Sequence, residues 1–286
     1  MRRLRKYEPG RITMIVFVFS VVLGTGAMVR NAGWTRVRPH SARASGSFVP
    51  SREEMHLPRV MLWAWERPED LRFLNPHTAG VAFLAGTIEI SSLRPETSKA
   101  LNASVVLHPR LQPLLVPPGT ALMAVVRIET RNDLWHQVKN RRHDIPPVSS
   151  GPSYSNAQRF QVADMIASVA TLPGVRAVQV DYDATESERT FYEQLLEDVR
   201  TRMPQGMPLS ITALASWCVG DKWLDTLPQG TINEAVPMLF RMGSDAARVA
   251  SFLQAGNQFP ARVCRTSLGV STDEPFSSLD YSRFVW

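Results

Sequence analysis

The sequence predicts an α/β protein of the (β/α)8 TIM-barrel type, and three observations predict it. Short apolar runs rich in valine and isoleucine alternate with helical patterns from Val60 onward. Strands separated by helices pair in parallel through right-handed crossovers. Eight candidate strands fall within residues 56–286, close to the roughly 250 residues such a barrel uses. The first strand–helix turn also lacks the glycine-rich signature of a doubly wound open sheet, which makes that fold the runner-up.

The elements follow in order. Val60–Trp65 is a strand, as are Gly80–Ile90 ("GVAFLAGTIEI") and Ala121–Thr130 ("ALMAVVRIET"), the last dense in β-branched residues. Ser104–Val116 carries Pro109 and Pro113 and reads as an extra hairpin or extended excursion. Residues 140–155 form a long loop after the third strand. Asn156–Leu172 is a helix, with Asn156 as cap and Phe160, Ala163, Ile166, Ala167 and Ala170 on one face. Val175–Tyr182 is the fourth strand, and the helix Glu186–Met203 follows with Phe191, Leu195, Leu196 and Val199 on one side. Leu209–Trp217 is the fifth strand, Asp221–Leu227 a short helix, and Ala235–Met242 the sixth strand. Asp245–Ala255 is a helix and Thr266–Val270 the seventh strand. Arg283–Trp286 is a short eighth, so the barrel's closure at the C-terminus stays open.

Residues 1–30 read as a signal anchor or signal helix. Ile12–Val29 is uncharged and long enough for a short membrane span or a signal-peptide core. Arg2, Arg3, Arg5, Lys6 and Arg11 precede it and favour a cytoplasmic N-terminus. Residues 31–55 are polar and small, a flexible linker, and residues 56–286 are the barrel. The expectation is an inner-membrane protein held by residues 12–29 with a periplasmic domain, or one secreted to the periplasm.

Composition narrows the function classes. The chain has 286 residues, 44% hydrophobic and 20% charged, enough for a sizeable core. Much of the net charge of +6 sits around the N-terminal apolar run. No later basic stripe carries interleaved aromatics, so no nucleic-acid partner is expected. The six histidines show no metal-ligand spacing, and there is no phosphate loop, so no metal or organic cofactor is implied. Cys218 falls at the end of the fifth strand and Cys264 at the start of the seventh. Opposite ends of non-adjacent strands exceed the roughly 7 Å Cα reach of a disulfide, so the two are expected to be unbonded.

The stretch "VRAVQVDYDATESERTFYEQLLEDVR", Val175 to Arg200, bears most on chemistry. Gln179, Asp181 and Asp183 share one face of the fourth strand, and Val178, Val180 and Tyr182 the other. Barrel sites lie at the C-terminal strand ends, so the polar face points into the mouth. Neighbouring carboxylates there raise one another's proton affinity, as acid–base chemistry requires. The competing reading has Asp183 capping the next helix and Asp181 pairing with Arg127 or Arg241. Other strand ends repeat the pattern, with Trp63, Trp65 and Glu66; Arg127 and Glu129; Trp217 and Asp221; Arg241; and Asp273 with Glu274. Acids serve hydroxyls and glycosidic oxygens, and flat indoles cover apolar sugar faces.

The stretches "VMLWAWERPEDLRFL", "VQVDYDATESERTFYEQLL", "PLSITALASWC" and "EAVPMLFRMG" resemble a bacterial family catalogued as domain of unknown function 3142, from about Pro58 to the end. That resemblance implies a glycosidase-like barrel. More distantly, the chain resembles chitinase-like glycoside hydrolases of family eighteen, whose fourth strand ends in Asp-x-x-Asp-x-Asp-x-Glu. Asp181 and Asp183 match the second and third acids, Val178 stands at the first, and Thr185 at the proton donor, with Glu186 one place late. Met238-Leu239-Phe240 is similar to that family's Met-x-Tyr, and Trp286 to its last-strand tryptophan.

These readings converge on a glycoside-hydrolase-like protein that acts on or binds a bacterial polysaccharide. Asp181 and Asp183 are the expected catalytic centre, with Glu66 or Glu129 as second carboxylate. Trp63, Trp65, Arg127, Trp217, Arg241, Glu186, Asp221 and Asp273 are the expected substrate contacts. The alternative is a non-catalytic barrel that binds glycan or a partner protein.

Overall fold

The computed structural model describes residues 57–91, 104–131 and 154–271. The described residues all belong to one compact unit, 46–286. The expected membrane segment 12–29, the linker, the eighth strand at 283–286 and Asp273 lie outside the described residues. Among the described residues no helix is long and apolar enough to cross a membrane.

Among the described residues nine strands form: β1 (Val60–Ala64), β2 (Glu69–Asp70), β3 (Ala79–Ser91), β4 (Val105–Pro109), β5 (Leu114–Leu115), β6 (Leu122–Arg131), β7 (Val175–Asp181), β8 (Leu209–Leu214) and β9 (Glu234–Met238). β1, β3, β6, β7, β8 and β9 lie side by side in chain order, and each pair is parallel. β4 runs antiparallel, on β3. The proline-bearing excursion thus supplies β4, and it also supplies β5, which pairs with β2 in a separate ribbon. The helices are α1 (Asn156–Val169), α2 (Arg189–Arg202), α3 (Ala215–Gly220), α4 (Trp223–Thr226) and α5 (Ala246–Gln254).

Alternation along the strands divides the interior in two. Val178 and Val180 of β7, Tyr182 just past its end, and Leu209, Ile211 and Ala213 of β8 turn outward and pack beneath the helices with Ile166, Tyr192, Leu195, Leu196 and Val199. Ala82, Met123, Val125 and Ala177 turn inward, where Met61, Trp63 and Trp65 meet them. The inner cluster exists because the sheet curls. Gly269 bridges to Met238 at the end of β9, yet a Cβ added to it would lie 2.8 Å from the ring of Trp63 on β1. Trp63 also meets Phe240 edge-on, with centroids 6.0 Å apart. The first strand therefore faces the chain beyond the sixth, and the sheet is a parallel half-barrel in a mixed α/β fold.

Several local expectations change. The cap of α1 is Ser155, not Asn156. Ser155 Oγ accepts from the Gln158 backbone N–H at 3.1 Å, and the Gln158 side chain accepts from the Ser155 N–H at 2.9 Å, a reciprocal capping box. Phe160 faces outward, flanked by the guanidinium groups of Arg159 and Arg202. β8 stops at Leu214 because Ala215–Gly220 coils into α3, which takes Trp217 off the strand. β9 stops at Met238, and beyond it Arg241 adopts the left-handed region with φ 51°.

The cysteine expectation is overturned. Cys218 and Cys264 form a disulfide, with Cα atoms 5.9 Å apart. The fifth strand ends at Leu214 and does not run through Trp217. Cys218 lies instead on α3, which packs over β9, and Cys264 closes a short 3-10 turn, Arg262–Cys264, that also packs on β9. Both chain segments meet on the outside of one strand rather than at opposite ends of a barrel.

Candidate functional site

Asp181 ends β7 on the inner face. Its neighbour across β6 is Arg127, by register. On the other side the Val180–Ile211 pairing sets it beside Thr212 of β8, whose Oγ1 donates to Asp181 Oδ1 at 2.6 Å. Asp181 is half-buried and Thr212 is buried. Burial pushes the Asp181 carboxyl above its ordinary value of 3.8. The Thr212 bond pulls it down and the charge of Asp183 pushes it up. Arg127 lowers it and Glu129 raises it, by smaller amounts, and the balance stays upward. The site therefore keeps a proton on this acid to higher pH than a solvated aspartate.

Around it stand three other groups. Arg127 pairs with Glu129 at 3.1 Å rather than with Asp181. The same guanidinium lies over the Trp65 ring, 5.8 Å from its centroid. Trp65 is positioned by Arg110, which donates to the backbone carbonyls of Trp65 and Arg67 and so fixes the chain just past β1. Asp183 is exposed and acts on Asp181 through its charge.

Asp183 does not cap the next helix. Thr185 is the cap, and Glu188 folds back onto it, accepting from the Thr185 N–H at 2.9 Å and from Oγ1 at 2.7 Å. Glu188 is buried and also accepts from the Tyr154 hydroxyl at 3.0 Å. Sequence reasoning missed Glu188, although Thr-x-x-Glu is the spacing of a capping box. That box spends the acid as an anchor for the turn after β7. Glu186 is left exposed on the turn.

The remaining expected site residues are spread out. Trp63 lies on the inner face and donates its indole N–H to Gln179 Oε1 at 3.0 Å. Glu66 is exposed just past β1, and Arg241 is exposed beyond β9. Trp217 is only 3% exposed and sits edge-on to Trp223 at 5.0 Å, in the outer core rather than at the mouth. Asp221 pairs with Arg189 at 2.5 Å. Asp181, Arg127, Glu129, Trp65 and Asp183 are thus brought together, whereas Trp217 and Asp221 belong to the packing of α3 and α2.

A second polar array runs across the same face, deeper in. Gln179 Nε2 donates to Ser210 Oγ at 3.0 Å, Ser210 Oγ donates to Glu234 Oε1 at 3.1 Å, and Ser267 Oγ donates to Glu234 Oε2. With Trp63 at its head, this chain spans β1, β7, β8, β9 and the segment that carries Gly269. Gln179 and Ser210 lie two residues before Asp181 and Thr212 on their strands, so both arrays share the inward face. Inward polar positions in "VRAVQVD" and "LSITAL" are the sequence signal for it. The array borders a cavity of about 470 Å³. Among the described residues no three histidine, cysteine or acidic side chains gather where a metal ion could be held.

No protein-family model matches the chain, so the resemblance to the domain-of-unknown-function family has no model behind it. No curated protein matches it either. Among solved structures it is similar to the crystal structure of the Bacillus cereus spore cortex-lytic enzyme SleL, at 18% identity and a TM-score of 0.40, over 74% of this chain and 51% of that one. The chain spans about half the length of that structure's chain.

Proposed function

We propose that the strand-end mouth binds and processes a cell-envelope polysaccharide, with Asp181 as the proton-bearing acid. One observation carries this reading. The inner face of β7 ends in a half-buried aspartate whose proton affinity is raised, first by burial and then by the charge of Asp183, with a neutral threonine as its hydrogen-bond donor. An acid tuned upward beside a second carboxylate is the arrangement glycoside hydrolysis uses. Asp181 gives its proton to the glycosidic oxygen, and the bond from that oxygen to the anomeric carbon breaks. Asp183 faces the positive charge that develops on the sugar, a water molecule adds to the anomeric carbon, and the proton that water releases returns to the Asp181 carboxylate. Trp65 covers an apolar sugar face, and Arg127 fixes that indole while neutralising Glu129.

In this reading the half-barrel is completed by the C-terminal residues into a (β/α)8 barrel, and residues 12–29 hold it on the periplasmic side of the inner membrane. The Cys218–Cys264 disulfide supports an oxidising compartment. The second reading is a glycan-binding barrel without turnover. It is favoured by Thr185 at the donor position of the family-eighteen motif and by the pairing of Glu129 with Arg127.

A glycan array followed by product analysis tests both. Turnover by the wild type that is lost in Asp181→Asn supports the enzyme. Binding without products supports the second reading. No glycan response from a folded wild type ends both.

A further inference from the structure

Below the mouth, the inner face holds a buried acid. Glu234 opens β9, is 2% exposed, and among the described residues receives hydroxyl donors, Ser210 on one oxygen and Ser267 on the other. Among the described residues no lysine, arginine or histidine is paired with it. An ionised carboxylate removed from water is unfavourable unless a cation meets it, because hydroxyl dipoles replace hydration only in part.

Glu234 lines the cavity of about 470 Å³ together with Gln179, Ser267, Met61, Met123 and Trp63. That volume suits a small organic ligand. The cavity's polar lining groups are Gln179, Glu234, Ser267 and Arg59. Gln179 is already committed at both ends of its amide, to Trp63 and to Ser210. Glu234 is the acid of this lining, and each of its oxygens accepts from a single hydroxyl, which leaves a lone pair on each for a further donor. The other walls are thioether, indole and aliphatic surface, which favour an apolar body and, at the indole, a cation. Arg59 stands at the exposed rim, in solvent.

We propose that this cavity is a binding site for a small amphipathic organic amine, its ammonium on Glu234 and its apolar body against Met61 and Met123. The site is distinct from the mouth, since neither Asp181 nor Arg127 lines it. It does not rest on the glycan reading.

Three near-isosteric probes test it on the full chain: benzylamine, benzyl alcohol and benzoate. The indole N–H resonance of Trp63 is the reporter, because that group is bonded to Gln179 at the cavity wall. Benzylamine is expected to shift it and to bind at least about tenfold more tightly than benzyl alcohol, as a charge-assisted hydrogen bond requires. Benzoate is expected not to bind. In Glu234→Gln, which keeps the shape and one oxygen to accept from a serine while its amide N–H turns to the other serine as donor, the preference for the amine over the alcohol should vanish. The wild-type comparison needs no variant, so a Glu234→Gln that fails to fold leaves the test intact. Equal affinities for amine and alcohol, no shift of Trp63 with any probe, or an amine preference that persists in folded Glu234→Gln would each overturn the proposal.

Discussion

Thr212 donates to Asp181 across the β7–β8 pair at 2.6 Å. The carboxyl is nevertheless pushed upward, because burial outweighs that bond. A raised carboxyl destabilises the fold once it ionises. Its favourable contribution is complete below the ordinary value of 3.8 and is lost as pH rises through the raised value. Asp181→Asn removes that loss and keeps an acceptor for Thr212. Melting temperature against pH should therefore show the variant at or above the wild type near neutrality, with the gap closing in acid. A variant that melts well below the wild type at neutral pH would mean that Asp181 is half of a structural ion pair.

The Cys218–Cys264 bond closes a loop with a sequence separation of 46. A loop of that size is worth about 4 kcal/mol through the unfolded chain. Replacing both cysteines by alanine should lower unfolding free energy by that order in a denaturant titration, and reductant should do the same to the wild type only.

Gly269 touches Trp63 so closely that a methyl group there must displace the indole ring. Gly269→Ala should cost roughly 1–3 kcal/mol as an overpacked contact. The indole resonance of Trp63 should shift in the same variant. An unchanged stability and spectrum would mean that the two ends of the half-barrel do not meet at this point.

The tryptophans separate packing from recognition. Trp217 is buried against Trp223, so Trp217→Ala should cost about 3–5 kcal/mol. Trp65 is half-buried under Arg127. Trp65→Ala should weaken the glycan response with a smaller change in melting temperature. Thermal melting and glycan binding on the two variants check this together.

Much of the architecture was legible because alternation and helix periodicity are local. The runs at Val60, Gly80, Ala121, Val175, Leu209 and Ala235 became the six parallel strands, in order. Inward Gln179 and Asp181 followed from period two alone. Strand ends were less legible. "LSITALASW" stays apolar past Leu214, and nothing local says that Ala215 begins a helix. That single error put Trp217 at the mouth and parted Cys218 from Cys264. Pairings across the sheet were not legible either. Glu234 with Ser210 and Ser267, or Arg127 with Glu129 instead of Asp181, depend on register and side-chain direction, which no single strand encodes.

The central claim is that Asp181 supplies the proton for glycan turnover at the strand-end mouth. The most direct measurement is reducing-end release from an array-selected envelope glycan by wild type and Asp181→Asn, both confirmed folded by melting. Loss of release on the order of a hundredfold or more, as removal of a general acid gives, with melting temperature preserved, is the predicted result. Release unchanged in the folded Asp181→Asn variant would contradict it.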